Sequence, residues 1–377
     1  MADPITLRAR HARLLLVLLT RPEESGPWSP VEWELAVRAA RIAKLLGTIH
    51  VRLTDAGLAN TIPQRAAGLL EADLRVAQHR AAMARIELRG VDDALRDYDG
   101  PLLLLKGAAY SLLGLQASRG RIFEDVDLMV PKARLQEVED LLTMAGWESE
   151  TPDAYDQRYY REWSHELPPM RFPGRPMQLD VHHTIVPVTA RFHLDAARLV
   201  AMAAPIVGSR FSALHPAHQL IHAAAHVFAD SDCVSRLRDL VDIDALAREH
   251  GTAPDFWAVA FAEAARAGLE RPLWYALDTC TRWLATPIPS ALEGARSSQR
   301  PVAPVRVLMR TMLTHTLPPH SPERPGNIAR GIAGRLLYLR YLWLRMPMRL
   351  LAYHAMRKTL RTVREKLKAP RVQADAD

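Results

Sequence analysis

Two stretches of the chain alternate apolar and polar positions with the period of a half-buried strand. In residues 121–130, Val126, Leu128 and Val130 interleave with Asp125 and Asp127; in residues 177–183, Met177, Leu179 and Val181 interleave with Gln178, Asp180 and His182. Each would turn its aliphatic side to a core, so three aspartates share one sheet face if the strands are neighbours. Residues 102–107, four leucines followed by Lys106 and Gly107, predict a short buried strand running into a helix that begins near Ala108. Between the acid-bearing strands the spacing predicts a helix over residues 131–146. Leu135, Val138, Leu141, Leu142 and Ala145 form one face, with Pro131 in the first turn and Gly146 at the stop. The alternation predicts an α/β (α+β) fold, a small mixed sheet flanked by N-terminal and C-terminal helical regions.

The flanks read as helical. The chain up to about Leu95 is rich in Ala, Leu and Arg, punctuated by Pro63 and Gly68. Residues 216–228 put His218, His222 and His226 on one helix face. Histidines four apart can hold zinc, but no third ligand of evident spacing follows, and packing is the better reading. Residues 234–246 offer Leu237, Leu240, Val241 and Leu246 as a buried stripe, with Arg238 and Asp242 at ion-pair spacing. A linker at residues 316–326 sets off a basic tail. The expected divisions are a helical region at 1–98, the sheet-bearing region at 99–190, a second helical region at 191–315 and the tail at 327–377.

Two carboxylates two residues apart on a strand repel unless something neutralises them. A hard divalent cation such as magnesium suits aspartate oxygens, and a solvated edge strand is the competing reading. The strand-glycine-helix turn adds a second element, because N–H groups at a helix N-terminus can receive a phosphate. Lys106 and Arg121 add positive charge nearby.

The ordered series Lys106-Gly107, Arg121, Asp125-Val126-Asp127, Gly146-Trp147, His165-Glu166-Leu167-Pro168-Pro169 and Asp180-Val181-His182 resembles the uncharacterised nucleotidyltransferases of the DNA polymerase beta-like superfamily. The resemblance runs to roughly Leu277. It implies a polymerase beta-like catalytic region at 99–190 and helices at 191–315 that face the substrate or nucleotide. The implied reaction moves a nucleoside monophosphate from a nucleoside triphosphate to a hydroxyl acceptor, releasing pyrophosphate, with two magnesium ions or manganese in their place. Asp125, Asp127 and Asp180 would be catalytic and hold the metal; Lys106, Gly107, Ala108, Arg121 and His182 would bind the nucleotide. The resemblance gives the histidine-bearing helix a packing or nucleotide-facing role, and it places the helix carrying Leu237-Arg238 and Asp242 beside the active site. The chain departs from the wider pattern in having Gly107-Ala108 where Gly-Ser or Gly-Gly is usual. Its interval from Gly107 to Asp125 is also longer than in compact members.

Composition narrows the setting. Two cysteines in 377 residues, Cys233 and Cys280, make no disulfide framework and fit a reducing cytoplasm. Leu14 to Leu19 is too short an apolar run to span a bilayer. The formal charge is +7, and in the tail Arg335, Arg340, Arg345, Arg349, Arg357, Lys358, Arg361, Arg364, Lys366 and Lys368 interrupt leucines and Trp343, with a break expected at Pro347. Such a segment covers a domain, lies on an anionic membrane surface or meets an acidic partner. No nucleic-acid module is visible. A non-catalytic interaction protein of the same fold and a toxin-like enzyme that modifies RNA are the alternatives to a cytoplasmic, magnesium-dependent nucleotidyltransferase whose acceptor the sequence does not name.

Overall fold

The computed structural model describes residues 9–150, 153–320 and 327–368. Four helices come first: α1 (Arg10–Thr20), α2 (Pro30–Ile42), α3 (Leu46–Asp55) and α4 (Gln64–Ala94). The Leu14–Leu19 run is the buried face of α1. Ser29 opens α2 with a reciprocal capping box to Glu32, satisfying N–H groups that the helix cannot. Pro63 stands just before α4, which ends one residue short of Leu95.

The sheet-bearing part follows as β1 (Leu103–Leu104), α5 (Lys106–Leu113), β2 (Asp125–Met129), α6 (Leu135–Met144), β3 (Glu148–Ser149), α7 (Ala154–Trp163), β4 (Met170–Arg171), β5 (Gln178–His182), α8 (Ala196–Ala201), β6 (Ala204–Pro205) and β7 (Ser212–Ala213). The seven strands lie in the order β3-β4-β5-β2-β1-β7-β6. β2 runs parallel to β5 and antiparallel to β1, so the sheet is mixed. Val126, Leu128, Leu179 and Val181 are fully buried on one face, which fixes the register, because a one-residue slip would drive the carboxylates into the apolar side. Val138 and Leu142 bury the inner face of α6, whereas Ala145, expected on that stripe, is exposed past the helix end.

The remaining helices are α9 (Pro216–Phe228), α10 (Leu237–His250), α11 (Phe256–Ala267), α12 (Glu270–Leu284), α13 (Glu293–Ser298), α14 (Ala303–Thr316), α15 (Ile328–Arg345) and α16 (Met348–Lys368). α9 packs against α10, α11 and α12, and α1 reaches α12 across the molecule. Both cysteines are buried and free. Pro347 falls between α15 and α16, as its lack of an N–H requires. Part of the 316–326 linker and the side chains of Lys358, Arg361, Arg364, Lys366 and Lys368 lie outside the described residues. Among the described residues no helix is long and apolar enough to cross a membrane.

One close approach seats the first helices on the loop before β2. A Cβ on Gly120 would lie 2.3 Å from the Gly47 carbonyl carbon at the start of α3, and φ there is +70°, so only glycine fits.

Candidate active site

The parallel pairing of β2 and β5 sets Asp127 opposite Asp180 and Asp125 opposite Gln178. One carboxylate oxygen from each of the three aspartates can lie within 4.8 Å of the others. Burial and then the charge of Asp127 raise the Asp125 carboxyl above the ordinary carboxylate range. The same two causes push Asp180 up to about 7, although the Gln178 amide donates to it at 2.9 Å. Burial also works against Asp127, but Lys106 and His182 outweigh it and hold its carboxyl well below the usual range. The site therefore has one firmly ionised carboxylate between two reluctant ones, a shortage of positive charge that a cation would relieve.

Lys106 and His182 converge on the same oxygen. Lys106 Nζ donates to Asp127 Oδ1 at 3.3 Å, and His182 Nε2 donates to it at 2.9 Å. His182 is buried, yet Asp127 and Glu166 overcome the cost of burial and raise its pKa. Glu166 enters through a bridge that pairs it antiparallel with His182, and its Oε2 lies 3.5 Å from His182 Nδ1. His165, Glu166 and His182 form a second close group of potential ligands beside the aspartates. Glu166 lies inside the motif that carries the family resemblance, but nothing in its spacing assigns it a partner.

The turn from β1 into α5 faces this cluster. Lys106 adopts φ +42°, in the left-handed region that a non-glycine residue enters only when its surroundings hold it there. Gly107 and Ala108 occupy the first turn of α5, where backbone N–H groups lack intrahelical partners. Gly107 is required on steric grounds: a Cβ there would meet Arg121 Nη1 at 2.6 Å and Phe123 Cγ at 3.0 Å.

Arg121, expected beside the nucleotide, is buried behind Gly107 and donates from Nε to Asp242 Oδ2 of α10 at 2.8 Å. Burial opposes its charge, but Asp242 outweighs burial and raises its pKa. Asp242 thus pairs with Arg121 and not with Arg238, which turns instead to Asp239 and to the Ile122 carbonyl. Among the described residues the three α9 histidines are not part of a close group of potential metal ligands. His218 meets Glu263 at 3.2 Å, while His222 and His226 are kept neutral chiefly by burial.

Two further groups have no counterpart in the sequence patterns. Arg345, the last residue of α15, donates to Asp230 at 2.8 Å and to the Tyr159 hydroxyl of α7 at 3.0 Å. Tyr160, beside it on α7, lies close enough to Glu166 and Asp180 for their charges to add to the effect of burial in raising its pKa. The end of α15 therefore helps wall the cluster from residues far along the chain.

No curated protein and no solved structure matches the chain. A family described as uncharacterised nucleotidyltransferase matches residues 29–285, well over half of the sequence. The matched span includes all seven strands of the described residues and all three aspartates, while α13 to α16 lie beyond it. The chain therefore belongs to this nucleotidyltransferase family, whose general activity is transfer of a nucleotidyl group from a nucleoside triphosphate.

Proposed function

We propose that the three-aspartate face is the catalytic centre of a metal-dependent nucleotidyltransferase that moves a nucleoside monophosphate to a hydroxyl acceptor. The observation that carries this reading is the β2–β5 register, which brings Asp127 opposite Asp180 with Asp125 in reach, at a place short of positive charge. All-oxygen donors of this kind suit magnesium, with manganese as the substitute. Asp125 and Asp127 would hold the ions and Asp180 would complete the set; bound there, paired cations stabilise the entering and leaving oxygens of an in-line displacement.

The chain's own groups supply the rest. The first turn of α5 offers backbone N–H donors to the triphosphate, and the bare Cα of Gly107 lets that turn seat against Arg121 and Phe123. Lys106 supplies charge for the phosphates. The acceptor oxygen bonds to the α-phosphorus as the bond to the bridging oxygen breaks, pyrophosphate leaves, and Asp180 accepts the hydroxyl proton. A carboxyl pushed up to about 7 is matched to that task near neutral pH. Arg121, held by Asp242, fixes the wall behind Gly107, and His182 orients Asp127.

The test is label transfer from triphosphates carrying phosphorus-32 at the α or the γ position, with magnesium, into pooled RNA, protein and small-molecule acceptors. Transfer of the α label alone is expected. Losing the carboxylate pair in Asp125→Asn/Asp127→Asn removes several kcal/mol of transition-state stabilisation, a loss of about a thousandfold or more. Wild-type transfer by the double variant would contradict the assignment.

A further inference from the structure

Exposed large apolar side chains are unevenly spread over the described residues. Twelve of the twenty fall between Val302, the N-cap of α14, and Met356 on α16, and eight lie in all the rest. On α15 they form one stripe: Ile328, Ile332, Leu336, Leu339 and Trp343 recur at the i, i+4, i+8, i+11 and i+15 spacing of a single helix face. The opposite face, with Ala333, Leu337 and Leu344, is the one buried against the protein. Ile328 is 85% exposed and Leu339 61%, too much apolar surface to leave in water without a use.

The charge of the same region says what covers it. Residues 294–368 carry sixteen Lys and Arg against two acids, Glu323 and Glu365, although the whole chain is only +7. Arg335 is exposed alongside the stripe, Arg349 is exposed at the start of α16 just past it in the chain, and the Arg191 guanidinium lies 4.4 Å over the Trp343 ring at its end. A cavity of about 740 Å³ opens beside Leu336 and Trp343, lined also by the exposed Arg271 and Arg300. A second copy of the chain would bring like charges together. Nucleic acid would be met by stacking aromatics, whereas this stripe is chiefly aliphatic. An aliphatic face rimmed by guanidinium groups matches the boundary between acyl chains and anionic headgroups.

We propose that α15, with the exposed side of α14, docks this protein on the surface of a membrane rich in anionic phospholipid, lying in the interface without crossing it. The inference rests on surface shape and charge and stands apart from the chemistry assigned to the aspartates.

The test is sedimentation of the full chain with phosphatidylcholine vesicles, with and without phosphatidylglycerol, at physiological salt. Binding to the anionic vesicles alone is expected. Arg335→Gln/Arg349→Gln should weaken it about thirtyfold, at the ~1 kcal/mol typical of each basic residue near such a surface, and Leu339→Glu/Trp343→Glu should abolish it. Both apolar positions are exposed, and the comparison of vesicles needs only wild-type protein, so misfolding of a variant cannot mimic the result. Equal binding to neutral vesicles or none to either would overturn the proposal. So would wild-type binding by Leu339→Glu/Trp343→Glu, a dimer that hides the stripe, or RNA competing the protein off the vesicles.

Discussion

Asp180 lies in a harsher setting than a surface carboxylate, for burial and the neighbouring Asp127 both favour its protonated form. The folded-state value near 7 exceeds the ordinary 3.8, so the stability this group contributes is present in acid and lost as pH rises through 7. A divalent ion needs that proton removed, which couples binding to pH. Manganese affinity should therefore be about tenfold tighter at pH 8 than at pH 6, levelling above neutrality, as one displaced proton with a pKa near 7 requires. Titration calorimetry at the two pH values measures this, and Asp180→Asn should bind more weakly with a flatter pH response. Affinity independent of pH in the wild type would remove Asp180 from the ligand set. The alternation of Asp125, Asp127 and Asp180 with aliphatic residues made these three legible in the sequence. Glu166 was not, because its role comes from a single bridge to His182, and one residue pair has no period.

At the scale of elements, β2, β5, α6, α9 and α10 follow the apolar spacing closely, since each is long enough to show a period. β1 was legible as the leucine run before Gly107, but β3, β4, β6 and β7 have two residues each, too few for any alternation, and the strand order that makes β2 and β5 neighbours depends on contacts between distant segments. The Arg121–Asp242 pair was hidden for the same reason. Local spacing favours Arg238 as the partner of Asp242, but folding brings in an arginine 121 positions away. That pair ties α10 to the loop that backs Gly107, with both side chains less than a tenth exposed. Removing one member leaves a buried charge alone, so Asp242→Ala should lose about 3–5 kcal/mol in urea denaturation. Replacing both by apolar residues of similar size should recover most of the loss. A cost below about 1 kcal/mol for the single change would mean that water reaches Arg121 after all.

Across the whole molecule, chemistry and surface charge are segregated. The family match ends at residue 285, and the strongly basic, apolar-faced helices come after it, yet Arg345 returns from α15 to the wall of the aspartate cluster through Asp230 and Tyr159. The basic tail is thus tied through Arg345 to residues of the matched span, although the sequence sets it apart by a proline-rich linker. In the proposed function, Asp125 and Asp127 together create a cation-dependent triphosphate site. Its most direct test is calorimetric titration of each nucleoside triphosphate, with and without magnesium, into wild type and Asp125→Asn/Asp127→Asn. Binding should require magnesium in the wild type and vanish in the double variant. Equal binding by both proteins, or folded wild-type protein that takes up no triphosphate at all, would contradict it.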